Sequence, residues 1–181
     1  MIALHMRPRQ GILVAGIATA LLTIAVVLLV SGGSGAAPSK SQTLFRATLL
    51  EDAKTTAAVK TLLRERSGFV APEIAFGALT PDERSDAVVL VETGGAAGAV
   101  AVYVFSTQGR SANSDLRAIY RSQRLYRATA QISDGTLVVR VPRFSQRDDV
   151  CCPRRIVERV YSWSEAKRTL VRRSTRTVSG P

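Results

Sequence analysis

The run GILVAGIATALLTIAVVLLV at residues 11–30 limits what this chain can be more than any other stretch. It is twenty residues long and carries no charge. A helix of that length reaches about 30 Å, the thickness of a bilayer's hydrocarbon core. Arg7 and Arg9 precede it with no acid nearby. By the positive-inside rule they hold residues 1–10 in the cytoplasm and place everything after residue 30 outside. The competing reading is a cleaved signal peptide, with Ala36 and Ala37 as candidate cleavage residues. Signal-peptide apolar regions run about 7–15 residues, shorter than this one, and Pro38 disfavours cleavage after Ala37. A helix buried in a soluble domain is the third and weakest alternative. No cysteine follows the run, which excludes lipid attachment there. The expected organisation is a cytoplasmic N-terminus over 1–10 and a transmembrane signal anchor over 11–30. A Gly/Ser/Ala/Pro linker then covers 31–43, and an extracytoplasmic domain covers 44–178. Cleavage would give the same domain as a secreted protein.

Charge is the next constraint. The formal net charge is +11, and it is lopsided. Residues 101–181 hold sixteen Lys and Arg against six Asp and Glu, whereas the first hundred residues are nearly balanced at nine against eight. In the cytoplasm such a balance would suggest nucleic acid. Outside the membrane the plentiful polyanions are lipid headgroups and phosphate- or uronate-bearing polymers, so no nucleic-acid partner is expected. The plainer reading is a solvated basic face with no dedicated ligand.

Residues 48–68, TLLEDAKTTAAVKTLLRERSG, read as one amphipathic helix. Thr48 and Glu51 form a capping-box pattern, Leu49, Ala53, Leu62 and Leu63 help define an apolar stripe, and Gly68 offers a left-handed close. The period then becomes extended. EIAFGAL (73–79) is a short strand. DAVVLVE (86–92) and AVAVYVF (99–105) are apolar on both parities, as strands covered on both faces must be. TGGAAG between them is a tight turn. LRAIY, RLYRATAQI, TLVVRVP, RIVERVYSW and RTLVRRSTRTV follow, several with arginines crowding one parity. Ser133, Asp134 and Gly135 form a hairpin turn, and residues 164–167 join the last two strands. The expected fold class is α+β: after the membrane helix, one amphipathic helix packed on a mostly antiparallel β-sheet.

The segments VETGGAAGAVAVYVF, SDGTLVVRVPRF and DDVCCPRRIVERVYSW together resemble the extracytoplasmic domain of actinobacterial lipoproteins of the LppP/LprE type. The resemblance spans roughly residues 85–170 and rests on Gly94, Gly95, Gly98, Asp149, Cys151, Cys152, Pro153, Tyr161 and Trp163. Its most specific part is Cys-Cys-Pro followed by Tyr-x-Trp. It implies an exported domain in the cell envelope and no specific activity. Two departures stand out: LTPDERSDAVVLV replaces the acidic DGDG-like turn of that group, and the lipobox cysteine is absent, an apolar anchor standing in its place.

Few chemistries remain for the exported domain. The lone histidine is His5, which removes histidine-based catalysis and histidine zinc sites. Asp82, Glu83 and Asp86 lack the alternation and central glycine of a calcium loop. TGGAAGAV lacks the Lys-Ser/Thr of a phosphate loop and leads to a strand. No catalytic residue, cofactor or metal is expected. Cys151 and Cys152 are adjacent and without another partner in the chain. A vicinal disulfide stiffening a turn, two free thiols and a bond to another chain are the alternatives. A thiol–disulfide redox or chaperone-like role through this pair is the rival to a binding function. Tyr161 and Trp163 share a strand parity with Val157, for core packing or as a stacking platform. The candidate anion-binding residues are Arg140, Arg143, Arg147, Arg154, Arg155, Arg159, Arg172 and Arg173. They would face an anionic envelope polymer, a lipid surface or an envelope protein.

Overall fold

The computed structural model describes residues 37–82, 84–106, 116–149 and 151–180. The anchor expected at 11–30, its cytoplasmic flank and residues 31–36 of the linker lie outside the described residues, as does Glu83. Among the described residues no helix is long and apolar enough to cross a membrane.

The domain is α+β, and every strand pairing in it is antiparallel. Among the described residues two helices, α1 (Lys40–Glu51) and α2 (Ala57–Arg64), precede nine strands: β1 (Gly68–Val70), β2 (Ala75–Gly77), β3 (Asp86–Thr93), β4 (Ala99–Ser106), β5 (Arg117–Gln123), β6 (Thr129–Ser133), β7 (Thr136–Arg143), β8 (Arg155–Ser164) and β9 (Thr169–Ser179). They form two sheets rather than the single one expected. The first runs β1-β3-β4-β5 with β2 also on β3, and the second runs β6-β7-β8-β9.

The need for two sheets follows from β3 and β4. Their side chains alternate between two apolar environments. Ala87, Val89, Val91, Ala101, Tyr103 and Phe105 pack with Phe45 and Leu49 of α1 and with Val59 and Leu63 of α2. Val88, Val102 and Val104 pack instead with Leu137, Val139 and Val141 of β7 and Leu170 of β9. One face is roofed by helices and the other by the second sheet. The chain changes sheets at residues 124–128, where Arg124 and Arg127 take positive φ values of 60° and 49°. The backbone N–H groups of Leu125, Arg127 and Ala128 are satisfied there by the carbonyls of Val100, Ala97 and Ala99.

The helix expected over 48–68 is two helices. The N-terminal cap is Ser39, whose side chain accepts from the Gln42 N–H while the Gln42 side chain accepts from the Ser39 N–H. Thr48 therefore lies inside α1, and residues 40–43 of the expected linker are helical. Asp52 breaks the run. Its carboxylate accepts from the Lys54 N–H at 3.0 Å and from Arg121 Nε of β5 at 2.8 Å, so local and tertiary bonds together outcompete helical ones. The Thr56 N–H at the start of α2 donates to Gln123 Oε1 at 2.8 Å. Gly68 opens β1 instead of closing a helix, and Arg66 takes the left-handed conformation at φ 58°. The hairpin at Asp134 and Gly135 matches its expectation, with φ values of 49° and 69°.

One buried charge organises the entry to β3. Asp86 is 1% exposed, and its Oδ2 accepts from the Leu79 and Thr80 N–H groups, each at 2.8 Å, and from the Thr80 hydroxyl. This carboxylate, weighed in sequence as a calcium ligand, instead satisfies the backbone of the turn before β3. Asp86→Ala should destabilise the domain by about 2–5 kcal/mol, because it strands two buried N–H donors. A urea midpoint unchanged from that of the wild type would refute this role.

Candidate functional site

The candidate arginines sit on β7, β8, β9 and the loop joining β7 to β8. Directly opposed residues of neighbouring strands share a sheet face, so the register sorts them. Arg140 lies opposite Glu158, and Glu158 lies opposite Arg176. This row faces away from the inter-sheet core, because Leu137, Val139 and Val141 occupy the alternate positions of β7 and are buried there. Arg140 Nε donates to Glu158 Oε2 at 2.8 Å, and Arg176 Nε donates to Oε1 at 2.6 Å. Arg173 stands on the bulged part of β9 and donates to the Ser162 hydroxyl at 2.5 Å.

Arg143, Arg155, Arg159 and Arg172 fall on the opposite side. Arg143 pairs in register with Arg155, Arg159 with Val139, and Arg172 with Tyr161. The eight arginines therefore do not form one basic face. The reason is parity: Arg155 and Arg159 are odd positions of β8, whereas the residues opposite Arg140 and Ser174 (Glu158 and Val160) are even. Arg147 and Arg154 belong to the connecting loop, where Arg154 Nε lies 3.6 Å from Asp148 Oδ1.

That loop holds the cysteines. Cys151 and Cys152 form a vicinal disulfide, and both residues are exposed. The turn around them is closed by the Cys152 N–H donating to the Asp149 carbonyl at 3.0 Å. Asp148 Oδ2 accepts from the Ser145 N–H at 2.8 Å. Pro153 is buried at the loop's exit, and the Gly180 N–H donates to the Arg154 carbonyl at 2.9 Å. A Cβ at position 180 would fall 1.7 Å from the Pro153 carbonyl oxygen, so only glycine lets the end of β9 close on the knuckle.

The aromatics divide between core and rim. Tyr161 and Trp163 pack against the inter-sheet core, with Tyr161 edge-on to Tyr120 at 4.7 Å. Trp163 Nε1 donates to Glu165 at 2.8 Å. Phe144, the first residue of the knuckle loop, meets the Tyr126 ring edge-on at 5.6 Å, and the Arg127 guanidinium lies 5.9 Å from its centroid. Among the described residues no group of three or more His, Cys, Asp or Glu is arranged to hold a metal ion.

Two carboxylates near the arginines are held below their ordinary range. Hydrogen bonds from Arg140 and then Arg176 do this to Glu158. The Ser145 backbone N–H, with a smaller contribution from Arg154, does it to Asp148. Glu158 and Arg176 were the members that sequence reasoning missed. Glu158 is the single acid of β8, but its cross-strand partners depend on a register that no local signal supplies.

No protein-family model, curated protein or solved structure matches this chain. Function must be read from its own residues.

The Glu158 row makes a pH prediction. A carboxyl whose folded pKa lies below its unfolded value adds stability that is fully present above the unfolded value, near 4.5. That stability is lost as pH falls through the depressed folded value. Glu158→Gln should therefore destabilise the domain at pH 7 and flatten the loss of stability below about pH 4.5. Denaturation midpoints measured between pH 7 and pH 3 check this; parallel curves for both proteins would exclude the linkage.

Proposed function

We propose that the chain is a non-enzymatic extracytoplasmic domain held at the membrane by residues 11–30, its N-terminus cytoplasmic. Its arginines would engage an anionic component of the cell envelope. The twenty-residue uncharged run, the preceding Arg7 and Arg9 and the resemblance to LppP/LprE-type domains support the placement. An exposed disulfide is in keeping with an oxidising exterior.

One observation carries the binding reading. Arg143, Arg147, Arg155, Arg159 and Arg172 ion-pair with no described residue, while Glu158 is engaged by Arg140 and Arg176 and Asp148 by Arg154. Five guanidinium groups without an ion-pair partner among the described residues, within thirty residues of chain, repel one another. They are matched to an anion that comes from outside.

Replacing Arg143, Arg155, Arg159 and Arg172 with Ser should release the protein from isolated envelope at low salt. The three exposed positions should change stability by about 0.5 kcal/mol or less each, and a melting curve checks that the domain stays folded with the half-buried Arg159 replaced. The wild type should be released as salt approaches about 1 M, where screening acts over about 3 Å. Retention of the fourfold variant equal to wild type would sink the reading. The exposure of both cysteines favours one alternative, thiol–disulfide exchange with a partner dithiol. Cys151→Ser with Cys152→Ser decides between them: it keeps envelope retention under the first reading and loses function under the second.

A further inference from the structure

The register places a strip of donor groups along one side of β8 and β9. Arg155, Val157 and Arg159 follow one another on this side of β8, and opposite them on β9 stand Ser179, Thr177 and Thr175. Arg143 of β7 completes it beside Arg155. Val157 and Arg159 are half-buried, and the other five are exposed. Every polar side chain of the strip can donate a hydrogen bond and none is a carboxylate. Glu158, the acid nearest in sequence, points to the other face and is 3% exposed beneath its two arginines.

Two features select the ligand. First, Arg143 and Arg155 are directly opposed, with Cβ atoms about 5 Å apart, a like-charge pairing that costs a sheet stability. An oxyanion between them converts that repulsion into charge-assisted, bidentate contacts. Second, Arg159 lies four residues farther along β8, about 13 Å from Arg155. An oxyanion seated between Arg143 and Arg155 leaves Arg159 to take a second anionic group. A ligand that uses the whole strip carries negative groups along an extended chain.

The strip also lies on the side of the second sheet that faces the first and borders the inter-sheet core, with Val157 and Arg159 opposite the buried Val141 and Val139 of β7. Its exposed positions, Arg143, Arg155, Thr175, Thr177 and Ser179, form an open ledge along that border. A thin chain can lie on such a ledge, whereas a flat lipid surface meets only protruding tips.

We propose that this ledge is a track for a linear oxyanion polymer, one anionic group seated between Arg143 and Arg155 and another at Arg159. The Thr175, Thr177 and Ser179 hydroxyls donate along the edge. This rests on the reading that the arginines serve an anionic partner, and it adds the face, the residues and the ligand class.

The test is binding of long-chain inorganic polyphosphate to the full-length chain in zwitterionic nanodiscs, across a salt series. Wild type should bind, and orthophosphate at equal phosphate concentration should not compete. R143S/R155S should weaken binding by about 10-fold or more and lower the log–log salt slope by about two, one per lost guanidinium contact. The control K40S/R64S removes the same charge from the helices and should stay within about 2-fold, because exposed charges beyond a Debye length are screened. Melting curves confirm that each variant is folded. Should R143S/R155S fold but bind as wild type while R172S/R173S loses binding, the ledge is wrong and the broader function stands. Equal competition by orthophosphate overturns the track in favour of a single-anion site. Binding to anionic vesicles but not to polyphosphate overturns the polymer in favour of a lipid surface. If wild type binds neither polyphosphate nor anionic vesicles, ledge and proposed function fail together.

Discussion

Strands β3 and β4 pair from Ala87↔Phe105 to Glu92↔Ala99, and each of the outer layers covers one face of that pair. Val89, Val91, Val102 and Val104 are fully buried, and so is Tyr103, whose hydroxyl is pushed up to about 12 by burial. Side chains of this kind contribute about 1.5–3 kcal/mol each when removed from water, which no surface ion pair approaches. The helices are short and need this sheet. α2 has eight residues, and the N–H of its cap residue Thr56 is satisfied by Gln123 of β5. Neither helix would be stable alone at such length.

The second sheet depends on the same pair from the other side, and this leaves β8 and β9 with unequal halves. Where they lie over β3–β5 their inward positions are apolar, as at Tyr161, Trp163 and Leu170. Toward the knuckle the same face carries Arg155, Arg159, Thr175 and Thr177, the bulge in β9 having shifted its numbering parity. One strand thus serves as core at one end and as a polar ledge at the other. The knuckle caps this polar end, with Pro153 buried and Gly180 pressed against it, and it holds the first residues of β8 in register with β7.

Much of this was legible in the chain. DAVVLVE and AVAVYVF announce themselves as central strands because neither parity is polar, and the SDG hairpin because φ > 0 suits Asp134 and Gly135. The cysteine turn was legible too, since adjacency leaves few partners. What was not legible depends on tertiary partners. Asp52 ends α1 with help from Arg121, sixty-nine residues away, and no helical period records that. The second sheet was implicit in the demand that β3 and β4 be covered twice, but composition does not say whether helices or strands do the covering. The division of the arginines between two faces needed the register, and a one-residue change of register reverses every assignment.

Arginine side-chain NMR gives the most direct check, following the Nε–Hε resonances of the full-length chain as long-chain polyphosphate is added. The resonances of Arg143, Arg155 and Arg159 should move together. Those of Arg140 and Arg176, bonded to Glu158, and of Arg121, bonded to Asp52, should stay in place. Movement of the Glu158-bound pair with Arg143, Arg155 and Arg159 unchanged would contradict both the ledge and the register-based division of charge that defines it.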